Sequence, residues 1–153
     1  MPSEGREPEI QVLDKLKQRF PLLMVDRVLS WEKGGLLKAV KNISANEIHF
    51  LGHFPGNPVF PGVLTIECFA QAAAILVRLT EEAEGTATEG LFDVLGAVLD
   101  FRFMKPIVPG DRLETHVRIT KTAGSNRIVE GKCLVAGEEA ASGKLMFGKI
   151  SAP

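Results

Sequence analysis

The chain has 153 residues, of which 45% are hydrophobic and 24% charged, and its formal net charge is −1. This balance excludes a disordered chain and a chain that coats nucleic acid. The length suits one domain with a sizeable core, so we expect a single domain over residues 1–153 with a loose tail at residues 1–8. No basic N-terminal region precedes an apolar run, so no secretory signal is predicted.

The first structural elements follow from spacing and breakers. Apolar residues recur at helical intervals in Glu9–Arg19, and Pro21 ends that predicted helix. Large apolar residues make Leu22–Trp31 a predicted strand. The pair Gly34-Gly35 then predicts a hairpin turn into a partner strand over Leu36–Ile43.

A rigid loop and a long helix come next. Gly52–Pro61 holds three prolines and two glycines, a composition that neither a helix nor a strand accommodates. The predicted helix runs from about Val63 to Glu82, with Gly85 as its C-cap. Because it is apolar on nearly every face, we interpret it as a core helix that other elements wrap, rather than a membrane span.

Four further strands are predicted beyond the helix, and breakers separate them. They are about Val94–Phe103, Asp111–Thr122, Arg127–Val135 and Ala140–Lys149. Six strands and one helix that is apolar all round indicate an α+β fold, with an antiparallel sheet curled about the helix.

The chemistry concentrates where the loop meets the helix. His53 is the candidate base, because imidazole titrates near neutral pH. Glu67 is the candidate acid, because burial in an apolar helix should raise the pKa of its carboxyl. Gly62 begins the helix, where amide hydrogens lack intrahelical partners and can stabilise an oxyanion. Gln71 lies one turn beyond Glu67 and should orient its carboxyl or a water.

These segments also carry a family resemblance. The sequence from Gly52 to Leu64, followed by Glu67 and Ala70-Gln71, resembles the signature of the (3R)-hydroxyacyl-acyl carrier protein dehydratases of the FabZ type. Three more segments match that family, and with them the likeness runs from about Leu16 to the C-terminal strands. They are Phe20–Val28, Lys41–Glu47 and Lys105–Asp111.

The resemblance implies a fold, a reaction and an assembly. The fold is the hotdog, a sheet around a helix. The reaction is dehydration of (3R)-3-hydroxyacyl-ACP to trans-2-enoyl-ACP in fatty acid biosynthesis, in the cytoplasm and without a metal or redox cofactor. The partner is acyl carrier protein. The histidine and glutamate of one site come from different subunits, so a homodimer is the catalytic unit, often assembled into a hexamer as a trimer of dimers.

The resemblance also implies finer roles. The carbonyl of Val59 would hold the second nitrogen of His53, and Gly62 would be the oxyanion donor. A tyrosine often gates the acyl tunnel in this family, but this chain contains no tyrosine. Aromatic residues are the candidates to line the tunnel instead. They are Phe54, Phe60, Phe101 and Phe103.

Four positions depart from the family pattern, and the first is Lys17, which stands in place of proline. Gln18 stands where histidine is common, and His49 stands where an apolar or aromatic residue is usual. Phe60 replaces a common methionine. These departures leave the candidate catalytic residues intact.

Other functions remain alternatives. A hotdog thioesterase would also bind an acyl thioester but would activate water at a carboxylate, and a non-catalytic module would bind acyl groups without turnover. The related dehydratase-isomerases typically carry aspartate where this chain has Glu67.

Single residues also have alternative interpretations. The pair His49 and His53 has a zinc-like spacing, but the loop composition argues against a helix there. Cys68 and Cys133 are expected to be free core thiols rather than a disulfide or a nucleophile. Four basic residues could form a landing surface for the acidic carrier, or could be scattered surface charge. They are Arg102, Lys105, Arg112 and Arg127.

Overall fold

The computed structural model describes residues 9–152, so the tail predicted for residues 1–8 lies outside the described residues. The helices are α1 (Val12–Lys15) and α2 (Gly62–Glu84), and a 3-10 helix covers Ile48–Leu51. The strands are β1 (Arg27–Trp31), β2 (Leu36–Asn42), β3 (Leu91–Phe103), β4 (Arg112–Ala123), β5 (Asn126–Val135) and β6 (Glu138–Ser151).

All six strands form one antiparallel sheet in the order β1-β2-β4-β5-β6-β3. The α2 helix packs against β2, β3, β4 and β5, so the sheet wraps around the helix. The predicted α+β architecture, a six-stranded sheet around one long helix, is confirmed. Within residues 9–152, β3 lies at an edge of the sheet and pairs with β6 alone.

The central helix begins after Pro61 and ends at Gly85, as the proline and glycine in the sequence predict. Pro61 is the N-cap, and its carbonyl accepts the amides of Leu64 and Thr65 at 2.9 and 3.1 Å. Gly85 closes the helix in the left-handed conformation, with φ 70°, as expected of a glycine C-cap. The helix is long and apolar enough to cross a membrane by length and composition. Most of its side chains are instead buried inside this chain, as a core helix requires.

Two predicted elements are shorter than expected. The predicted helix Glu9–Arg19 is wrong beyond one turn, because Leu16 is extended and its side chain is buried in the core. The predicted strand Leu22–Trp31 begins only at Arg27. Its first part is bonded differently, since the carbonyl of Leu22 and the amide of Met24 pair with the side chain of Gln71 rather than with a strand.

The sheet has one place where backbones approach closely. A Cβ added at Gly131 of β5 would lie 3.0 Å from the carbonyl carbon of His116 and 3.0 Å from Cα of Val117 on β4. Gly131 also faces Gly143 across the β5–β6 pair. The added Cβ would also overlap the carbonyl oxygen of His116, closer than real Cβ atoms approach backbone, so this close approach of β4 and β5 requires glycine.

We therefore expect Gly131→Ala to lower the free energy of unfolding by about 1–3 kcal/mol, because rigid backbone must move to admit the methyl group. Urea denaturation measures the change. The matched control is Gly148→Ala in β6, where the first neighbour of an added Cβ is the side-chain oxygen of Asn126 at 3.4 Å. Equal stability of the two variants would contradict the packing argument.

Candidate active site

The His53 loop is held by its own backbone. The amide of His53 donates to the carbonyl of His49 at 3.0 Å, and the amide of Val59 donates to the carbonyl of His53 at 3.0 Å. Between them, Phe54 and Asn57 exchange backbone hydrogen bonds of 3.2 and 2.9 Å. The composition that predicted a rigid loop thus corresponds to a tight turn closed at both ends.

One ring nitrogen of His53 is already engaged. Its Nδ1 lies 2.8 Å from the carbonyl oxygen of Val59. A carbonyl only accepts hydrogen bonds, so we assign the proton of the neutral imidazole to Nδ1. This tautomer leaves the lone pair on Nε2, which is the form that a general base needs.

The imidazole opens onto a cavity of about 360 Å³. Its lining includes His53, Val59, Phe60, Gly62, Thr65 and Phe103. Phe54 is exposed and stacks on the imidazole at a centroid distance of 4.0 Å. Phe101 packs between the rings of Phe69 and Phe103. Of the four aromatic residues predicted to line a tunnel, Phe60 and Phe103 line this cavity.

Gly62 places a helix terminus in the same cavity. Among residues 9–152, the amides of Gly62 and Val63 meet no backbone acceptor, as expected for the first turn of a helix. A Cβ at Gly62 would lie 3.1 Å from the ring of Phe103, which therefore covers the glycine closely. An alanine there would compete with Phe103 for the space beside the free amides.

Glu67 is half-buried and is held by Gln71. The carboxylate oxygen Oε1 of Glu67 accepts a 2.7 Å hydrogen bond from Nε2 of Gln71. Gln71 is fully buried, and its same nitrogen donates to the carbonyl of Leu22 at 2.7 Å while its oxygen accepts the amide of Met24 at 2.8 Å. Three bonds thus fix the amide group that orients the carboxyl.

Within one chain, His53 and Glu67 open onto different cavities. Glu67 lines a groove of about 610 Å³. Its lining includes Glu67, Ala70, Ala74, Arg78, Leu91 and Leu95. An α-helix turns by about 100° per residue, so Glu67 lies roughly 200° around α2 from Thr65, which lines the His53 cavity. The two candidate catalytic groups therefore face nearly opposite sides of the helix.

Two alternatives for single residues find no support in the geometry. Cys68 is fully buried, and burial raises the pKa of its thiol well above the ordinary range, which disfavours the nucleophilic thiolate. The nitrogen Nε2 of His49 faces Glu47, while Nδ1 of His53 is bonded to Val59. No group of three or more potential metal ligands occurs within residues 9–152.

Each of the four basic residues that could form a landing surface is paired with a carboxylate. Arg127 is largely buried and pairs with the buried carboxylate of Glu81 at 3.4 Å. The other three are paired with nearby acids: Arg102 with Asp100, Lys105 with Glu138 and Arg112 with Glu114. Two of these four partners, Glu138 and Glu81, are distant along the chain, so the sequence could not show those two pairings.

Comparisons with known proteins agree on a family. A family model described as a FabA-like domain matches residues 16–144. The 3-hydroxyacyl-[acyl-carrier-protein] dehydratase FabZ of Actinobacillus succinogenes is 40% identical over 153 residues, which cover 97% of this chain and 99% of that protein.

Solved structures agree on the fold. The dehydratase heterocomplex ApeI:P from Xenorhabdus doucetiae matches with a TM-score of 0.78 at 17% identity, over 95% of this chain and 93% of the other. A hot-dog-like protein from Thermanaerovibrio acidaminovorans matches with a TM-score of 0.62 at 16% identity, over 80% and 85% of the two chains. Together with the family match, these likenesses identify the fold as the hotdog.

We expect Gln71→Leu to lower the free energy of unfolding by about 2–4 kcal/mol, because the buried amide of Met24 and the partly buried carbonyl of Leu22 each lose their partner. Thermal and urea denaturation measure the loss. The control is Gln11→Leu, at an exposed glutamine whose side chain donates to the nearby carbonyl of Glu9 at 3.4 Å. If Gln71→Leu were as stable as this control, the bridging role of the amide would be wrong.

Proposed function

The chain belongs to the FabA-like family, with FabZ dehydratases among its relatives, and we propose that it dehydrates (3R)-3-hydroxyacyl-ACP to trans-2-enoyl-ACP in fatty acid biosynthesis. The supporting observation is a half-buried imidazole and a half-buried carboxyl, each fixed by its own hydrogen bond. The acyl carrier protein is the proposed partner, through its acyl-phosphopantetheine group, and the cytoplasm is the proposed compartment.

The reaction breaks two bonds and forms one π bond. His53 removes a proton from C2 of the substrate through Nε2, because Nδ1 already donates to Val59. Glu67, in its protonated form, gives a proton to the departing hydroxyl at C3, and water leaves. The electron pair released at C2 forms the double bond to C3.

Charge that grows on the thioester oxygen needs donors that do not have to reorganise. The free amide of Gly62 supplies one, since Gly62 lines the His53 cavity at the positive end of the α2 dipole. One such donor is typically worth about 3 kcal/mol of transition-state stabilisation. Phe103 packs over Gly62 in the same cavity.

The opposite facing of His53 and Glu67 supports a site shared between two copies of the chain. β3 is a 13-residue edge strand with several exposed apolar side chains, among them Leu95, Val98 and Leu99. A long apolar edge with unpaired backbone groups promotes association with another strand. We propose that the partner is β3 of a second copy.

Such pairing would join the two parts of the proposed site, the His53 cavity and the Glu67 groove. The start of β3 lines the Glu67 groove through Leu91 and Leu95, and its last residue, Phe103, lines the His53 cavity. In an antiparallel pair with two-fold symmetry, the start of one β3 lies beside the end of the other. The Glu67 groove of one protomer would then adjoin the His53 cavity of its partner, and a homodimer would be the catalytic unit.

We expect His53→Ala and Glu67→Gln each to lower the rate of enoyl formation by roughly 10²–10⁴-fold, because each removes one proton-transfer group. The substrate is 3-hydroxyacyl-ACP, and its enoyl product is followed by mass spectrometry. Saturated acyl-ACP is assayed in parallel as a second substrate that can be hydrolysed but not dehydrated. The control is His116→Gln, at a half-buried histidine that pairs with Glu114 on β4.

Wild-type rates in either catalytic variant would contradict the mechanism. Release of free thiol from both substrates, without enoyl product, would instead favour the thioesterase. Retained acyl binding without any turnover in the wild-type protein would favour a non-catalytic acyl-binding module.

A further inference from the structure

A buried lysine lies behind the His53 loop and is unused by the proposed reaction. Lys41 of β2 is 8% exposed, and its ammonium nitrogen lies 3.1 Å from Oε2 of Glu47. Lysine is rarely buried unless it is paired, because removing its charge from water is costly. The same carboxylate oxygen lies 3.5 Å from Nε2 of His49. We call these residues the Lys41–Glu47–His49 cluster.

Glu47 also fixes the turn that leads into the 3-10 helix. Its Oε1 accepts the amide of Ser44 at 2.9 Å, and its own amide donates to the carbonyl of Ser44 at 3.2 Å. Its carbonyl then accepts the amide of Phe50 at 3.2 Å, which is the first turn of that helix. The carboxylate is therefore tied to β2 by a charge and to the turn by an amide.

The 3-10 helix connects Glu47 to the His53 loop through hydrogen bonds to the carbonyl of His49. The carbonyl of His49 accepts the amides of both Gly52 and His53, at 3.3 and 3.0 Å. The ring of His49 also packs edge-on against Phe60 at 5.2 Å, and the amide of Phe60 donates to Ile107 at 2.8 Å. His49 thus contacts both ends of the His53 loop, through the amide of His53 and through the ring of Phe60.

The His49 ring is close to Glu47 without a formed hydrogen bond. Its Nε2 is buried and has no hydrogen-bond partner among the described residues, although the carboxylate oxygen is 3.5 Å away. Burial lowers the pKa of His49, opposed by Glu47 and reinforced by Lys41 and His53. The lowered pKa favours the uncharged form of this ring beside the base.

We propose that the Lys41–Glu47–His49 cluster is a positioning unit for His53: it ties the 3-10 helix to β2, so that the carbonyl of His49 holds the catalytic loop in place. No member of the cluster lines the His53 cavity or the Glu67 groove. It acts on the reaction through His53 alone. Its kinetic consequence rests on the proposed dehydratase function.

Kinetics of three variants test this proposal. We expect Lys41→Met and Glu47→Gln to lower kcat roughly tenfold to a hundredfold, since a small misplacement of a catalytic group has an effect of that size. KM should stay within about twofold, because the substrate contacts of the loop remain. Lys41→Arg keeps the charge and should recover most of kcat. The matched control is Glu114→Gln, which breaks the Glu114–His116 pair on β4 and should leave kcat unchanged.

A spectroscopic readout separates this proposal from the proposed reaction. The chain has only three histidines, so the proton NMR signal of the His53 ring Hε1 can be assigned by its loss in His53→Ala. In Glu47→Gln we expect that signal to shift or broaden, while the His116 signal stays in place. If the wild-type protein formed no enoyl product, the dehydratase function would fail and this signal would still decide the positioning role.

Three results would overturn the proposal. One is wild-type kcat with an unmoved His53 signal in Glu47→Gln. The second is an equal loss of kcat in Glu114→Gln. The third is a failure of Lys41→Arg to exceed Lys41→Met. Should Lys41→Met not fold, Glu47→Asp decides instead, because it keeps both charges but shortens the carboxylate by one methylene, and an unchanged His53 signal there would also overturn the proposal.

Discussion

The periodicity of one helix determines the arrangement of the candidate site. Thr65 and Glu67 are two residues apart on α2 and therefore point to nearly opposite sides, so the His53 cavity and the Glu67 groove cannot be the same space within one chain. The helix cannot rotate to bring Glu67 into the His53 cavity, because its other faces are buried against four strands. The proposed dimer is a consequence of this constraint, and the apolar edge strand β3 connects the two halves.

Each candidate catalytic group is held by an uncharged partner. The partner of His53 is a backbone carbonyl, and the partner of Glu67 is a side-chain amide that is anchored to backbone. His53 is held by the carbonyl of Val59, and Glu67 is held by Gln71, which is itself anchored to the backbone of Leu22 and Met24. Backbone groups move little once the fold has formed, so both groups are preorganised for proton transfer. The Lys41–Glu47–His49 cluster extends this support to the loop itself.

Local pattern predicted the elements better than it predicted their partners. The helix α2 and its Gly85 cap follow from apolar content and glycine chemistry, and the His53 loop follows from its prolines. The strand order, with β3 beside β6 at the edge, depends on long-range packing that no local pattern encodes. The helix at Glu9–Arg19 was overpredicted for the same reason, because tertiary burial of Leu16 outweighed helical spacing.

The site itself was predicted unevenly. His53, Gly62, Glu67 and Gln71 came from one contiguous stretch, where residue type and spacing carry the chemistry. The cover that Phe103 forms over Gly62 was not predicted, since it joins residues 41 positions apart, and neither was the burial of Lys41. A lysine in a strand of mixed pattern normally indicates a solvent-exposed position, and only the folded structure shows its carboxylate partner.

The most direct test of the shared site is to mix the two inactive variants. His53→Ala and Glu67→Gln are dissociated together, reassociated and assayed for enoyl formation. A mixed dimer contains one site with both groups intact, so random reassociation should restore about one quarter of wild-type activity. A site contained within one chain would stay inactive in every combination, and the absence of any recovery in verified mixed dimers would contradict the account.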